Sequence, residues 1–341
     1  MSKILVAMSG GVDSSVTAYL LQKEGHEIEG VYFKLYENEE YHQKNIENVK
    51  KVASYLGIGY RVLDFGETFK ENVYDYFVQT YKEGLTPNPC VVCNKTIKLG
   101  LLVEYAKKEG FDKIATGHYA MIKDGFICEA KDKSKDQSYF LAFVKRENLP
   151  FVIFPLSNFL KEEVRAISEN IEVLKEIAKQ KESTEICFVE NSYTDILKDH
   201  FNIDLPGDVV DTNEKIIGKH KGYMHYTIGK RRGFTVFGAH EPHYVIKIDS
   251  KNNQIVVGSK KELEVSQFKI DNINFFIEER VFESFVKIRY RSPKVGCKVL
   301  VEKDEATVVL KEKIQGLAPG QAAVFYEGEK VIGGGWIKEE K

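Results

Sequence analysis

Apolar positions in the first half of the chain follow two alternating spacings. KILVAM (residues 3–8), EIEGVYF (27–33) and YRVLDF (60–65) are short, nearly continuous apolar runs. Between them, SSVTAYLLQKEG (14–25), NIENVKKVASYLG (45–57) and ETFKENVYDYFVQTY (67–81) bring apolar residues back every three or four positions. Runs of the first kind predict strands buried on both faces, and those of the second predict amphipathic helices. Strand and helix in strict alternation predict an α/β domain, a parallel sheet with helices on both sides. KTIKLGLLVEYAKKEG (95–110) and DKIATGHYA (112–120) extend the pattern by a helix and a short buried strand. Ligands of such sheets bind at the carboxyl ends of the strands, where SGGVDS and ATGHY both fall.

From about Ile203 the spacing changes. VVDTNEKIIG (209–218), HYVIKIDSKNNQIVVG (243–258), KVLVEK (298–303) and ATVVLKEK (306–313) alternate apolar and polar residues between turn clusters. This predicts a small β-rich central domain and then a C-terminal β-barrel, into which APGQAAVFYEGEKVIGGGWI (318–337) adds two strands. The expected boundaries give a catalytic domain at 1–200, a central domain at 201–264 and a barrel at 265–341.

A length of 341 residues suits several domains. With 43% hydrophobic and 29% charged residues the chain is of ordinary globular composition. Neither a signal-peptide pattern nor a run of about 18 apolar residues occurs, so the expectation is a cytoplasmic protein with no membrane partner. Five cysteines in that setting (Cys90, Cys93, Cys128, Cys187 and Cys297) point to thiol or metal chemistry, not to a disulfide framework. A net charge of −2 means that any nucleic acid must be held by local basic patches. Two stand out: Lys230, Arg231 and Arg232, and the group Lys287, Arg289, Arg291, Lys294 and Lys298 around Tyr290. Arginines beside an aromatic ring suit a splayed single-stranded RNA loop, while a solvated strand face is the plainer reading.

The sharpest motif is SGGVDSS at 9–15, between the first strand and the first helix. Gly10 and Gly11 let backbone N–H groups approach an anion, Ser9, Ser14 and Ser15 add hydroxyls, and the helix N-terminus favours negative charge. Asp13 is an anion among anions, which makes sense if it holds Mg2+ against phosphates. Neither GxxxxGK[ST] nor GxGxxG is present.

This loop resembles the pyrophosphate loop of the PP-loop ATP pyrophosphatases, which cleave ATP between the α and β phosphates. NPCVVCNKTIK (88–98), ATGHYA (115–120), KDQSYFL (135–141), STEICFVE (183–190) and HYTIGKRRG (225–233) follow in order. Together they resemble the tRNA-specific 2-thiouridylase family from Met1 to PGQAAVFYEG (319–328). The resemblance implies a PP-loop fold and a sulfurtransferase that adenylates the carbonyl oxygen at carbon 2 of the wobble uridine in the anticodon stem-loop, releasing pyrophosphate and then, as sulfur enters, AMP. It implies ATP contacts at Ala7, Met8, Ser9, Gly10, Gly11, Val12, Asp13, Ser14, Phe33 and Gly117. Cys187 would bear a persulfide supplied by an upstream donor protein, Cys93 would be the nucleophile, and a Cys93–Cys187 disulfide would follow sulfur release. Contacts to tRNA fall on Asn88, Pro89, Cys90, His118, Lys135, Asp136, Gln137, Arg289, Tyr290 and Gln321.

One position departs from the family. Many members carry Asp where this chain has Cys90, an aspartate to which acid–base work is assigned. If that work is needed here it passes to Cys90, to the neighbouring backbone or to water, so Cys90 is an acid–base substitute, a spectator or, with Cys93 and Cys187, the third ligand of a [4Fe–4S] cluster. Zinc fits poorly without a second CxxC or a spaced His pair. Two other functions compete: a PP-loop amide-forming ligase, which would not need the cysteines, and a non-catalytic nucleotide- or RNA-binding module, against which Asp13 and both cysteines argue.

Overall fold

The structure, a computed structural model, describes residues 1–179 and 186–339. Ser183, Thr184 and Glu185 of the STEICFVE motif lie outside the described residues. The chain forms two compact units that interleave along the sequence. The first takes Met1–Val73, Cys90–Ile186 and Gly328–Ile332; the second takes Tyr74–Pro89, Cys187–Glu327 and Gly333–Lys341.

In the first unit the expected alternation is present: β1 (Lys3–Ala7), α1 (Val12–Lys23), β2 (Glu27–Lys34), α2 (Glu39–Leu56) and β3 (Tyr60–Asp64), then β4 (Lys113–Ala115). The hairpin β5 (Ala120–Lys123) and β6 (Phe126–Glu129) and the two-residue β7 (Val152–Ile153) complete its strands. The sheet order is β3-β2-β1-β4-β7, every pair parallel. Ile4, Leu5 and Val6 of β1 are fully buried, as expected of the central strand. Residues of β3, nearer the edge, alternate in exposure instead. The chain moves to one side of β1 for β2 and β3 and to the other for β4 and β7. The order therefore reverses between β1 and β4, and that crevice is where such sheets bind ligands. Val16 and Leu21 of α1 share a core with Val49 and Val52 of α2 and with Val164 of the helix Lys161–Glu169.

In the second unit, β8 (Gly207–Val210), β9 (Ile216–His220), β10 (Phe234–Val236), β11 (Tyr244–Asp249) and β12 (Gln254–Gly258) form one sheet in the order β10-β9-β8-β12-β11. Six more strands follow: β13 (Glu264–Phe275), β14 (Val281–Lys287), β15 (Val295–Glu302), β16 (Glu305–Gln315), β17 (Ala322–Glu327) and β18 (Lys330–Ile337). Their order β13-β16-β15-β14-β17-β18 closes through β13–β18 into a barrel. Closure leaves no open edge. Cys297 lies inside this barrel, fully buried, and burial pushes its thiol up to about 12.

Candidate functional site

The loop after β1 is shaped by close backbone packing. Gly10 has φ +81°, and a Cβ there would lie 2.8 Å from the Asn45 carbonyl oxygen. Only glycine combines that backbone with that clearance. Asn48 Nδ2, buried on α2, donates to the Gly10 carbonyl (3.1 Å) and fixes the turn. Of the three serines expected to face an anion, Ser9 is exposed, whereas Ser14 and Ser15 are buried. The Ser14 hydroxyl accepts from the Ser9 N–H (3.1 Å) and donates to the Gly11 carbonyl (3.0 Å); Ser15 donates to the same carbonyl (2.9 Å). Both brace the cradle from behind.

Met8 is buried, and a Cβ at Gly30 would come within 2.7 Å of its sulfur, so a larger residue in β2 there would have to displace the Met8 side chain. Ala7 ends β1, Val12 opens α1, and Phe33, near the end of β2, packs on Phe65 with ring centroids 5.5 Å apart. Gly117 comes in from β4. A Cβ on it would lie 3.0 Å from the Ser14 nitrogen, so the TGH turn presses directly on the first turn of α1.

Asp13 is gripped from two sides. Lys161 Nζ contacts both of its oxygens, at 2.7 and 2.8 Å, and Tyr119 Oη donates to Oδ1 at 3.0 Å. The Lys161 side chain is only 11% exposed. Its backbone N–H donates to Asp132 Oδ2 (2.9 Å), which secures the first turn of the helix Lys161–Glu169. Sequence reasoning missed both Lys161 and Tyr119. A signal existed: Lys161 opens a helix, where the dipole disfavours a cation.

The NPCVVC segment becomes the short helix Pro89–Cys93 and passes into a widened, π-helical stretch, Asn94–Leu101. Cys93 is buried at 6% exposure and Cys90 is half-buried. Three residues apart on one turn, they share a helix face. Asn94 Nδ2 donates to the Phe140 carbonyl (3.3 Å), while among the described residues its Oδ1 is a buried acceptor without a partner. An unpaired buried acceptor costs about 1–3 kcal/mol. Among the described residues, no three His, Cys, Asp or Glu side chains gather into a metal-binding group.

His118 is enclosed, with Nδ1 2.7 Å from Thr116 Oγ1 and its ring edge-on to Phe154. Burial, reinforced by Lys98, pulls its pKa down to about 3, so any ligand meets a neutral imidazole. In the KDQ stretch, Lys135 is half-exposed, but Asp136 is turned inward. The Asp136 carboxylate accepts from the Ala130 N–H (3.0 Å), the Ser138 N–H (3.3 Å) and Ser138 Oγ (2.8 Å); burial raises its pKa against those bonds. Gln137 brackets Tyr119: its Oε1 accepts from the Tyr119 N–H (2.9 Å) and its own N–H donates to the Tyr119 carbonyl (2.7 Å). Of the three KDQ residues, Gln137 thus braces the tyrosine that holds Asp13, while Asp136 ties its own loop together.

In the second unit the structure joins Asn88 to Gln321, 233 positions apart, by a bond from Nδ2 to Oε1 (3.2 Å). Gln321 Nε2 also donates to the Pro87 carbonyl (2.8 Å), and the Thr86 N–H donates to the Pro319 carbonyl (2.8 Å). Gly320, at φ +87°, permits this: a Cβ would lie 2.9 Å from the Thr86 carbonyl oxygen. The PGQ turn is thus a clamp on the loop that ends at Pro89. Arg289 donates to the carbonyls of Gly316 and Ile228, tying the barrel to the TIGKRRG segment. Tyr290 lies under Lys287, 6.0 Å from its ring centroid. Of the KRR cluster, Lys230 turns in to the His225 carbonyl (2.7 Å) while Arg231 and Arg232 are exposed.

Cys187 is exposed, and its neighbour Phe188 is anchored. The Phe188 ring meets Phe77 edge-on at 5.2 Å and Tyr74 at 5.8 Å, and Tyr74 Oη lies 2.9 Å from His200 Nε2. An aromatic anchor beside an exposed thiol was not foreseen from sequence.

Family models match the chain in three blocks: the tRNA methyl transferase HUP domain over residues 2–191, the tRNA methyl transferase PRC-barrel domain over 194–259 and the aminomethyltransferase beta-barrel domain over 265–337. The chain is 56% identical over 335 residues to a tRNA-specific 2-thiouridylase MnmA of Nitratiruptor sp., covering 98% of this chain and 99% of that one. It is 55% identical to the protein of the same name from Campylobacter curvus, over 98% and 100% of the two chains. For tRNA-specific 2-thiouridylase MnmA 1 of Aliarcobacter butzleri the identity is 51%, over 99% of each chain. A solved 4-thiouridine synthetase–RNA complex with bound ATP aligns with 58% of this chain and 49% of its own at 18% identity and a TM-score of 0.37, too loose to inform the site. With three family domains in order and end-to-end identity above half, the chain belongs to the tRNA-specific 2-thiouridylase family.

Proposed function

We propose that this protein is an ATP-dependent tRNA-uridine 2-sulfurtransferase, which replaces the oxygen at carbon 2 of the wobble uridine with sulfur. The observation that carries the reading is the end-to-end identity to named 2-thiouridylases in a chain that keeps the anion cradle at Gly10 and both Cys93 and Cys187. The family models speak of methyl transfer. A methyl donor gives no use to a cradle for pyrophosphate or to two cysteines on separate segments.

In this reading ATP, arriving with Mg2+, lays its β and γ phosphates along Ser9–Val12, with the adenine beside Phe33 and the TGH turn of Gly117 closing over α1. The uracil oxygen attacks the α phosphorus, pyrophosphate departs, and carbon 2 acquires AMP as a leaving group. Cys187, exposed and anchored by Phe188, takes sulfane sulfur from a donor protein. The Cys93 thiolate then attacks the inner sulfur of that persulfide, forming a Cys93–Cys187 disulfide and releasing hydrosulfide. Hydrosulfide adds to carbon 2 and AMP leaves with the original oxygen. A thiol reductant supplies the two electrons that restore both thiols. In this reading Cys90, one turn from Cys93, handles the proton that the family's aspartate would take. The tRNA anticodon loop is held by Arg231, Arg232, Arg289 and Tyr290, with the target base flipped out of its stack. His118 contributes a neutral hydrogen-bonding ring.

The test is nucleoside mass spectrometry of tRNA from cells lacking the gene. Loss of 2-thiouridine, restored by the wild-type gene but not by Cys93→Ser or Cys187→Ser, is expected. Unchanged 2-thiouridine would sink the proposal. Iron at about four per chain in anaerobically purified protein would replace the persulfide relay with the cluster route.

A further inference from the structure

Asn88 and Pro89, which the resemblance sets at the target base, belong to the second unit, and the Asn88 backbone is held there by a residue outside every motif. Tyr76, in the first turn of the helix Asp75–Lys82, accepts the Asn88 N–H at Oη (3.2 Å). Its ring packs on Trp336 with centroids 6.0 Å apart. Trp336 precedes Ile337 on β18, and Ile337 exchanges two backbone bonds with the PGQ turn: its carbonyl accepts from the Gly320 N–H (2.9 Å), and its N–H donates to the Gln321 carbonyl (2.8 Å). Gln321 then returns to Asn88, its Oε1 accepting from Nδ2 (3.2 Å). The contacts close a ring from Asn88 through Tyr76, Trp336, Ile337 and Gln321 back to Asn88. Gln321 holds the asparagine side chain in this ring, and Tyr76 holds its main chain.

We propose that Tyr76 is a positioning residue for the target-base loop: its hydroxyl fixes the Asn88 backbone where the chain enters the helix Pro89–Cys93, and the Trp336 indole fixes the tyrosine. Asn88 is 7% exposed, which leaves little water to take the hydroxyl's place, and an acceptor withdrawn from a buried donor is costly. Burial pushes the Tyr76 phenol up to about 12, so the hydroxyl accepts this bond without carrying charge. Tyr76 acts through the loop and not on the nucleotide, so its removal weakens the use of RNA and spares ATP. This inference rests on the sulfurtransferase reading and on the place that reading gives to Asn88 and Pro89.

The test uses the full chain, Mg-ATP and an anticodon stem-loop RNA with an unmodified wobble uridine, and follows RNA-dependent pyrophosphate release together with ATP binding by calorimetry. Tyr76→Phe keeps the ring against Trp336 and loses only the hydroxyl. It is expected to lower kcat/KM for the RNA about tenfold, the effect of one buried hydrogen bond lost from one side, while the ATP affinity stays within about twofold of wild type. Trp336→Ala is expected to give a loss of the same size, and Trp336→Phe, which restores an aromatic ring behind Tyr76, to stay within about threefold of wild type. Wild-type kcat/KM in Tyr76→Phe would overturn the inference and leave the sulfurtransferase reading standing. ATP affinity weakened as much as kcat/KM would mark a general structural loss and overturn it too. Should Tyr76→Phe not fold, the Trp336 pair decides, since equal kcat/KM in Trp336→Ala and Trp336→Phe would also overturn it. A wild-type chain that releases no pyrophosphate with this RNA would overturn the sulfurtransferase reading itself, and this inference with it.

Discussion

His118 takes up no proton in the folded chain until the pH approaches about 3, whereas an unfolded histidine does so near 6.5. Between those values the unfolded state binds more protons, so the residue's contribution to stability is present above pH 6.5 and is lost as the pH falls toward 3. His118→Asn is expected to flatten the pH dependence of the unfolding free energy from urea titrations below pH 6.5, by about 1.4 kcal/mol per pH unit; parallel wild-type and variant curves would contradict this. Motif order identified His118, Asp136 and Gln321, but not what their atoms are engaged in. Asp136 accepts three bonds from its own loop, and Gln321 holds Pro87 and Asn88. A motif records that a residue type is required; the bonds that require it are set by contacts up to hundreds of positions away. Lys161 was overlooked for the same reason, since its partner is 148 positions earlier.

At the scale of elements, periodicity located the strands and helices of the parallel sheet because each buries one clear pattern. It missed the hairpin β5–β6, although Asp124 and Gly125, both at positive φ, are the Asp-Gly turn such a hairpin needs. It also read KTIKLGLLVEYAKKEG as one regular helix. In the structure, Asn94–Leu101 is wound more loosely, a form rare in proteins and frequent near functional sites. Apolar spacing cannot distinguish the two windings over a single turn or two. Gly100 permits the wider turn, since a Cβ there would lie 2.6 Å from the Lys95 carbonyl oxygen. Gly100→Ala is therefore expected to destabilise the chain by about 1–3 kcal/mol, despite alanine's higher helix propensity, and to alter the alkylation rate of Cys93. A rise in melting temperature would show that the winding is incidental.

Across the whole molecule, a net charge of −2 leaves tRNA affinity to local cations. Single-stranded contacts give a salt slope of about −0.7 per phosphate neutralised. Removing Arg231 and Arg232 together is expected to reduce the magnitude of the log–log salt slope by about 1.4; a slope unchanged in the double alanine variant would take this surface out of the tRNA site. Fold class and domain order were legible along the chain, since each block has its own periodicity. The interleaving of the units was not, because nothing in residues 74–89 announces that they pack with the distant barrel.

That interleaving has a consequence in time. A ribosome makes Thr86–Asn88 about 230 residues before the Pro319–Gln321 turn that clamps them. At about 5–20 residues per second the delay is on the order of tens of seconds. Throughout that interval the parallel sheet can assemble, while the loop leading to Cys93 waits for its clamp. The Thr86–Asn88 loop is completed only when the chain is nearly finished, so a nascent or truncated protein carries that loop without the turn that holds it.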